Sequence, residues 1–309
     1  MRDFAVHDVP GPKRNHLGYG RNVPKVFWPN GERVAVSLIV NWEEGSEYAM
    51  AYGDQRNEGL AEINYSMGPE FRDLCVESVY EYGSRAGIWR LQRMFDAAGV
   101  KCTFFGAAIA FQRAPEVSAW VREAGHEPCS HGYRWEEAWL LDRDEERDHI
   151  NEAVRIIEEA TGQRPRGWYC RYGPSVNTRE LVVEEGGFTY DSDAYNDDLP
   201  YFTEVKGKQH LILPYTLTNN DAAFILGNSA NANDFFNLLK GAFDYLWDEG
   251  ATHPRMMSVG LHSRWIGQPA RAAGLRDFID YVQNKGDAWI ARRIDIADHW
   301  LAHHDEFTI

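Results

Sequence analysis

The sequence predicts an α/β fold built around a parallel β-sheet, either open or closed into a barrel. Short apolar runs typical of buried strands alternate along the chain with segments in which apolar residues recur at helical spacing. The chain has 309 residues, 44% of them hydrophobic, which is enough to bury one large core. Neither an internal repeat nor an interdomain linker is evident, so we expect a single domain over residues 1–309.

The predicted elements follow one another in a regular order. Residues 1–32 are rich in Pro and Gly and are interpreted as an arm that wraps around the domain. Strands are predicted at 34–40, 101–105, 125–130 (with its turn), 168–171, 211–214 and 256–261, and helices at 81–98, 115–124, 142–161, 177–185, 232–249 and 268–283. Repeated alternation of this kind favours parallel pairing of the strands.

Charge and hydropathy exclude several classes of protein. The 47 acidic and 32 basic residues give a formal net charge of -15, which opposes binding to nucleic acid and to anionic membrane surfaces. No apolar stretch reaches the roughly 20 residues that a membrane-spanning helix needs. The N-terminus also lacks the apolar core of a secretory signal. We therefore expect a cytoplasmic protein without nucleic-acid or membrane partners.

The cysteines indicate reduced thiols. Cys75, Cys102, Cys129 and Cys170 are widely spaced and form no C-x-x-C pair, so neither a disulfide framework nor a zinc ribbon is favoured. Cys170 stands among candidate site residues. It either lines a cleft or is a buried structural thiol, and the second interpretation is the more common for a cysteine in such a position.

Polar residues follow several of the predicted strands, and at such positions a parallel α/β fold gathers its functional groups. Glu43 and Glu44 come directly after the strand at 34–40, and His131, Arg171 and His262 follow later strands. Adjacent carboxylates near an arginine or a histidine can act as a general base on water, or they can simply form a surface turn. The strand that immediately precedes the pair favours the first interpretation.

Each histidine taken alone is compatible with a structural role. At the ends of strands, however, a neutral imidazole can deprotonate water, and an imidazolium can protonate a leaving nitrogen. Hydrolysis of an amide needs both steps. It also needs a group that stabilises the oxyanion, for which Arg171, Arg264 and backbone N–H groups are candidates.

Aromatic and acidic residues near these positions are candidates for substrate contact. Trp42, Trp135 and Trp265 lie within four residues of a candidate catalytic group and could form an aromatic wall against a flat ring or a sugar, and Tyr169 lies next to the Cys170–Arg171 pair. The acidic run at 191–198 is either a solvated loop or part of the rim of the site. Within it, Asp191 and Asp193 are candidates for binding substrate, with capping and loop roles as the alternative.

Two observations narrow the chemistry. The chain has no P-loop, no G-x-S-x-G motif and no H-E-x-x-H helix, which disfavours nucleotide and serine-hydrolase chemistry. Residues 130–135, Ser-His-Gly-Tyr-Arg-Trp, resemble the metal-binding histidine box of carbohydrate deacetylases, but a tryptophan stands at the second histidine. One imidazole alone rarely holds a metal, so the sequence predicts no metal ligands, although zinc stays an alternative.

The chain resembles the cofactor-independent allantoinases of the polysaccharide deacetylase superfamily over nearly its whole length. The resemblance is carried by short phrases in a shared order, at residues 41–45, 81–87, 129–135, 184–188, 191–193, 197–201 and 260–264. It implies a distorted (β/α) barrel with fewer than eight regular strands and a homo-oligomer of four subunits. It also implies hydrolytic opening of the hydantoin ring of allantoin without a cofactor.

One segment departs from the family pattern. Where these allantoinases carry a Gly-Arg pair and a short turn into Asn-Thr-Arg, this chain has a longer loop at 168–179. If this loop touches the substrate, another cyclic amide or imide, or an acylated amine, is an alternative substrate. Fold analogy does not decide between these.

The working hypothesis assigns a role to each group. Glu43, assisted by Glu44 and His131, orients and deprotonates water, and His262 protonates the departing ring nitrogen. One of the two arginines holds the oxyanion or a ureide carbonyl. Two alternatives stay open: a metal-dependent N-deacetylase of amino sugars that uses His131 with Glu44, and a noncatalytic sugar-binding descendant of the deacetylases.

Overall fold

The structure, a computed structural model, describes residues 9–59, 62, 63, 65, 67, 68 and 70–308. Its strands are β1 (Val34–Trp42), β2 (Thr103–Gly106), β3 (Glu127–Ser130), β4 (Gly167–Trp168), β5 (Tyr190–Asp191), β6 (Tyr201–Val205), β7 (Lys208–Ile212), β8 (Arg255–His262) and β9 (Ala288–Ile290). Its α-helices are α1 (Leu74–Tyr82), α2 (Ile88–Ala98), α3 (Ala108–Arg113), α4 (Pro115–Glu123), α5 (Arg143–Thr161), α6 (Thr178–Glu185), α7 (Ala232–Glu249), α8 (Ser263–Ile266), α9 (Pro269–Lys285) and α10 (Arg293–His303).

One curled sheet organises the fold. Its strands follow the order β6-β7-β5-β4-β3-β2-β1-β8, and β9 also pairs with β1. All pairs are parallel except the β6–β7 hairpin. In the described part of the chain β6 and β8 form the two edges and no ladder joins them, so the sheet is a half-barrel. This confirms the predicted α/β class and the distorted barrel, in which β4 and β5 have only two residues each.

Strand β1 lies between β2 and β8 and also pairs with β9, and all nine of its residues are buried. Alternate residues face opposite sides: Val36 and Val40 pack in the cluster that contains helices α2, α7 and α9, whereas Ala35 and Ile39 pack inside the half-barrel. Burial on both faces explains why the sequence of this strand is a continuous apolar run. The chain must then leave the sheet, and Glu43 is the first residue beyond the strand.

The predicted helix at 81–98 contains a π-helical turn. Helix α1 runs directly into a π-turn at Gly83–Gly87, which continues as α2. A Cβ atom at Gly83 would overlap the Glu44 carboxylate, and one at Gly87 would overlap the carbonyl oxygen of Ser263. Only glycine allows this close approach, so the turn packs directly beneath the ends of β1 and β8.

Most other predicted elements are confirmed, and the deviations have physical causes. The strand predicted at 168–171 is limited to Gly167–Trp168, because the chain turns away towards the site after Trp168. The sequence analysis missed β6, which is a partly exposed edge strand without clear alternation. Residues 1–8 of the predicted arm lie outside the described residues. Farther along the arm, Val26 and Trp28 are buried against the domain.

No helix among the described residues is both long and apolar enough to cross a bilayer.

Candidate active site

A buried carboxylate, Glu43, forms the centre of the site. Its Oε1 atom lies 2.8 Å from Nε of Arg171 and 3.3 Å from Nε2 of His131. Its Oε2 atom lies 2.8 Å from Nη1 of Arg264 and 3.8 Å from Nε2 of His262. Of the residues predicted at the strand ends, the structure brings Glu43, His131, Arg171 and His262 together at one face, where Arg264 joins them.

The surrounding charges keep Glu43 ionised. Burial by itself would raise the pKa of this carboxyl group, since a charge is poorly solvated inside the protein. The guanidinium groups of Arg171 and Arg264 outweigh that effect, with smaller contributions from His262 and His131, and hold the pKa well below its ordinary value. A carboxylate of such low proton affinity is a strong electrostatic anchor and a weak base.

The orientation of His131 is fixed by its neighbour Tyr169. The Nδ1–H group of His131 donates to the backbone carbonyl oxygen of Tyr169 over 2.7 Å, and the two rings stack at 5.0 Å with an interplanar angle of 10°. Burial lowers the pKa of His131, which favours a neutral ring at pH 7. With Nδ1 protonated, the lone pair of the neutral imidazole is on Nε2 and faces Oε1 of Glu43 at 3.3 Å, a contact that becomes a hydrogen bond only when Nε2 takes up a proton.

His262 has a buried carboxylate partner that sequence reasoning missed. Its Nδ1 atom lies 2.7 Å from Oδ1 of Asp221, and its backbone N–H donates to Oδ2 over 2.6 Å. Asp221 is fully buried and also accepts from the backbone of Ile266. The carboxylate therefore orients the ring so that Nε2 faces Glu43. Asp221 follows two asparagines in a segment without a predicted element, so no local signal distinguished it.

Glu44 shares the guanidinium of Arg264 with Glu43 and stabilises the turn after β8. Its Oε1 atom accepts from the hydroxyl of Ser263 over 2.6 Å and from the backbone N–H of Arg264 over 3.2 Å. The guanidinium of Arg264 lies 3.6 Å from the same oxygen. The expected assistance of Glu44 to Glu43 thus takes the form of positioning Arg264.

The two arginines are held by aromatic rings. The guanidinium carbon of Arg171 lies 3.5 Å from the ring centre of Trp135, and that of Arg264 lies 5.4 Å from it. Arg264 also lies 4.3 Å from the ring of Trp265. Trp135 is the residue that stands where the histidine box has its second histidine. The position thus carries an aromatic ring that makes cation–π contacts with two arginines, instead of an imidazole that could bind a metal.

These residues do not fit a divalent metal at Glu43. Glu43, His131 and His262 offer suitable donor types, but both carboxylate oxygens are already paired with guanidinium groups. A cation there would lie beside two permanent positive charges. Across the described part of the chain, no group of three or more His, Cys, Asp or Glu side chains is arranged to hold a metal ion.

Asp191 and Asp193 are engaged in contacts of their own. Asp191 receives two hydrogen bonds from Arg179, at 2.8 and 3.1 Å, and lies 3.0 Å from Nε2 of His210. Asp193 accepts from the backbone N–H of Cys170 over 2.8 Å, and burial raises its pKa to about 7. The carboxylate of Asp193 thus joins the end of β5 to that of β4, whereas the carboxylate of Asp191 joins β5 to α6 and β7.

The three tryptophans lie buried behind the charged side chains of the site, and other residues line its solvent-accessible opening. Trp42 and Trp135 are 0% exposed and Trp265 is 3% exposed, so the expected aromatic wall does not face solvent in this structure. The side chains of Arg171 and His262 retain 13% and 11% exposure, which makes them the accessible members of the charged cluster.

Two further residues singled out from the sequence, Tyr169 and Cys170, directly precede Arg171 in the chain. Tyr169 is 9% exposed, and its hydroxyl lies 2.7 Å from that of Tyr195, which is half exposed. Cys170 is buried and burial raises its pKa, as the structural interpretation of this thiol requires.

Comparison with known proteins shows the family to which the chain belongs. The family model for polysaccharide deacetylase matches residues 69–190. A Schizosaccharomyces pombe protein named for the polysaccharide deacetylases is 36% identical over 306 residues, covering 92% of this chain and 95% of the relative. The chain belongs to the polysaccharide deacetylase family, and it is accordingly a hydrolase of that superfamily.

Solved structures agree with this assignment. A Pseudomonas aeruginosa PAO1 protein, also named for the polysaccharide deacetylases, is 48% identical with a TM-score of 0.90, covering 94% of this chain and 98% of the other. The structure of Puue Allantoinase is 47% identical with a TM-score of 0.90 and the same coverage. The resemblance deduced from the sequence is confirmed at this level.

Proposed function

We propose that this protein hydrolyses a small cyclic ureide, and that its substrate is allantoin, whose hydantoin ring it opens to allantoate. The observation that carries the proposal is the pairing of both oxygens of Glu43 with arginines, at a place where a deacetylase would bind its metal. The 47% identity to Puue Allantoinase over 94% of the chain supports the choice of substrate.

Proton removal from water is assigned to the pair of His131 and Glu43. Nε2 of His131, beside Oε1 of Glu43, takes a proton from water, and the hydroxide that forms attacks the ring carbonyl carbon. Glu43, already ionised, accepts a hydrogen bond from the Nε2–H that results and stabilises the imidazolium. This revises the hypothesis in which Glu43 is the base with the assistance of Glu44 and His131, because a carboxylate of depressed pKa has little affinity for the proton.

Protonation of the leaving nitrogen is assigned to His262. Asp221 binds the Nδ1–H group and leaves Nε2 facing the site, so a proton on Nε2 can be donated as the C–N bond breaks. The carboxylate of Asp221 accepts from Nδ1–H and fixes the orientation of the ring for this transfer.

Stabilisation of the oxyanion is assigned to Arg171. Of the two arginines it has the partly exposed side chain, whereas Arg264 is fully buried between Glu43 and aromatic rings. A guanidinium at the opening can bind the negative charge that develops on the carbonyl oxygen, and it can also bind a ureide carbonyl in the ground state. Arg264 then serves to hold Glu43.

The proposal includes independence from metal ions and assembly into a homo-oligomer. A metal-dependent N-deacetylase is the competing function, because curated relatives such as the S. pombe protein are named as deacetylases. The paired oxygens of Glu43 favour the metal-free reaction.

The deciding experiment is an assay of the chelator-treated protein on allantoin, with allantoate as the measured product. Hydantoin, a simple cyclic imide and N-acetylglucosamine oligomers serve as comparison substrates. Metal-free turnover of allantoin is the expected result. Deacetylation of the oligomers that depends on added zinc, without turnover of allantoin, would contradict the proposal.

A further inference from the structure

The guanidinium group of Arg171 lies between two aromatic rings. Its central carbon is 3.5 Å from the ring centre of Trp135 and 4.2 Å from that of Tyr172. The two rings contact each other edge to face, with centroids 5.5 Å apart. An arginine side chain has many rotamers in solution, and two flanking rings remove most of that freedom.

Tyr172 adopts a backbone conformation that is unusual for its residue type. Its φ angle is +64°, in the left-handed region, and it is one of three non-glycine residues with positive φ in the described part of the chain. Such a conformation disfavours a side chain with a Cβ atom and persists only where the surroundings hold it. Here it turns the ring of Tyr172 back over the arginine that directly precedes it.

The hydroxyl of Tyr172 is held by a second segment of the chain. It donates a hydrogen bond to the carboxylate of Glu58, which lies in the segment that follows β1. The backbone of Glu58 is bonded in turn to Tyr48 over 2.7 Å. The ring of Tyr172 is thus fixed at both of its ends, by the left-handed backbone and by Glu58.

We infer that Tyr172 is a positioning residue, which together with Trp135 clamps the guanidinium of Arg171 in the place where it pairs with Glu43 and meets the developing oxyanion. The inference rests on the proposed function for its catalytic consequence. The clamp itself is a property of the protein without substrate. Its two parts can therefore be tested separately.

The catalytic test compares two substitutions at Tyr172. Tyr172→Leu keeps the backbone strain but removes the ring, and it should lower kcat/KM for allantoin by on the order of 30-fold, the equivalent of one desolvated cation–π contact. Tyr172→Phe keeps the ring and should restore most of that loss. The effect should fall on kcat more than on KM, because the oxyanion exists only in the transition state.

Trp139→Leu is the matched control for loss of a ring. The ring centroids of Trp139 and Tyr172 are 6.5 Å apart, and Trp139 is 54% exposed. Removal of the Trp139 ring should therefore leave kcat unchanged. Equal activity of the Leu and Phe variants at position 172 would overturn the inference, as would a loss confined to KM.

The binding test uses guanidinium ion as the probe and needs no substrate. In Arg171→Ala the clamp is empty, and guanidinium chloride, added at constant ionic strength, should saturate it and shift the indole N–H resonance of Trp135. That resonance is assigned with a Trp135→Phe variant. In the double variant Arg171→Ala/Tyr172→Leu the resonance should change only linearly with guanidinium concentration and reach no plateau.

Each outcome of the binding test is decisive. Saturation at the same concentration in both variants, or in neither, would overturn the clamp. Methylammonium, a compact cation without a planar face, should bind more weakly than guanidinium in Arg171→Ala. If the wild-type protein does not open allantoin, the proposed function fails, while the guanidinium titration still decides whether the clamp exists.

Discussion

Glu43 and Arg264 form a buried ion pair across two neighbouring parallel strands, with Nη1 2.8 Å from Oε2. The register of the sheet explains the pairing: Asn41 in β1 lies opposite His262 in β8, so the residues two positions farther along each chain emerge side by side. Both residues are no more than 1% exposed. Removal of Glu43 would leave Arg264 with Glu44 alone, and removal of Arg264 would leave Glu43 with Arg171, so in either case a buried charge loses half of its compensation.

Glu43→Gln should abolish most turnover and also destabilise the fold. We expect kcat/KM to fall by at least about 100-fold, since the imidazolium of His131 loses its anionic partner. The free energy of unfolding should fall by about 3 kcal/mol, because Arg171 and Arg264 both lose the negative charge that they share, and only Glu44 at 3.6 Å stays beside Arg264. Kinetics on allantoin and denaturant unfolding measure the two effects. Glu204→Gln, at an exposed position of β6, is the control, and near-normal turnover by folded Glu43→Gln would exclude a catalytic role.

Asp221→Asn should impair catalysis while it preserves the shape of the side chain. The amide of asparagine can donate to Nδ1 of His262, which would hold the ring neutral with its single proton on Nε2, and a neutral ring is a far weaker acid than an imidazolium. We expect kcat/KM to fall by about 100-fold to 10,000-fold. Asp298→Asn, which breaks an exposed ion pair with Arg166, is the control and should change little. If kcat/KM of Asp221→Asn equalled that of Asp298→Asn, a role of Asp221 in catalysis would be excluded.

Glu47 should make stability depend on pH near neutrality. Burial raises its pKa to about 7, against about 4.3 in the unfolded chain. A raised carboxyl pKa contributes stability that is fully present below about pH 4 and is lost as the pH rises to about 7. Relative to Glu47→Gln, the wild-type free energy of unfolding should therefore fall by up to about 3 kcal/mol between pH 4 and pH 8. Parallel curves for the two proteins would refute this.

Gly87→Ala should destabilise the protein and reduce its activity. The added Cβ would overlap the backbone oxygen of Ser263, which cannot move without displacing Arg264. We expect a loss of about 1–3 kcal/mol in the free energy of unfolding. Gly241→Ala is the matched control, because Gly241 lies in helix α7 with open space around its Cβ position, and alanine there should stabilise by about 0.5–1 kcal/mol. Thermal melts measure both variants. If Gly87→Ala raised the melting temperature as much as Gly241→Ala, close packing at Gly87 would be excluded.

The sequence predicted the positions of the main charged groups because their positions depend on local pattern. Glu43, His131 and His262 each follow an apolar run, and the carboxyl ends of parallel strands meet at one edge. The roles of these residues depend on neighbours that are distant in sequence. Arg171 and Arg264 make Glu43 a weak base, whereas the sequence alone suggested a proton acceptor.

Residues without a local signal were missed for the same reason. Asp221 contacts His262 across 41 positions, and Tyr172 contacts Glu58 across 114. Trp135 was singled out by its place in the histidine box. Its burial beneath Arg171 and Arg264 could not be read from the sequence.

The sequence by itself determined the α/β class, most of the helices and strands, and the strand ends at which chemistry is gathered. These follow from apolar periodicity and from caps such as the Asp142–Glu145 capping box, which act over a few residues. The tertiary structure alone decided which charges meet, how deeply they are buried and which atom of each histidine faces the site. Such contacts depend on strand order and register, and these bring together residues as far apart as Glu43 and Arg264, 221 positions along the chain.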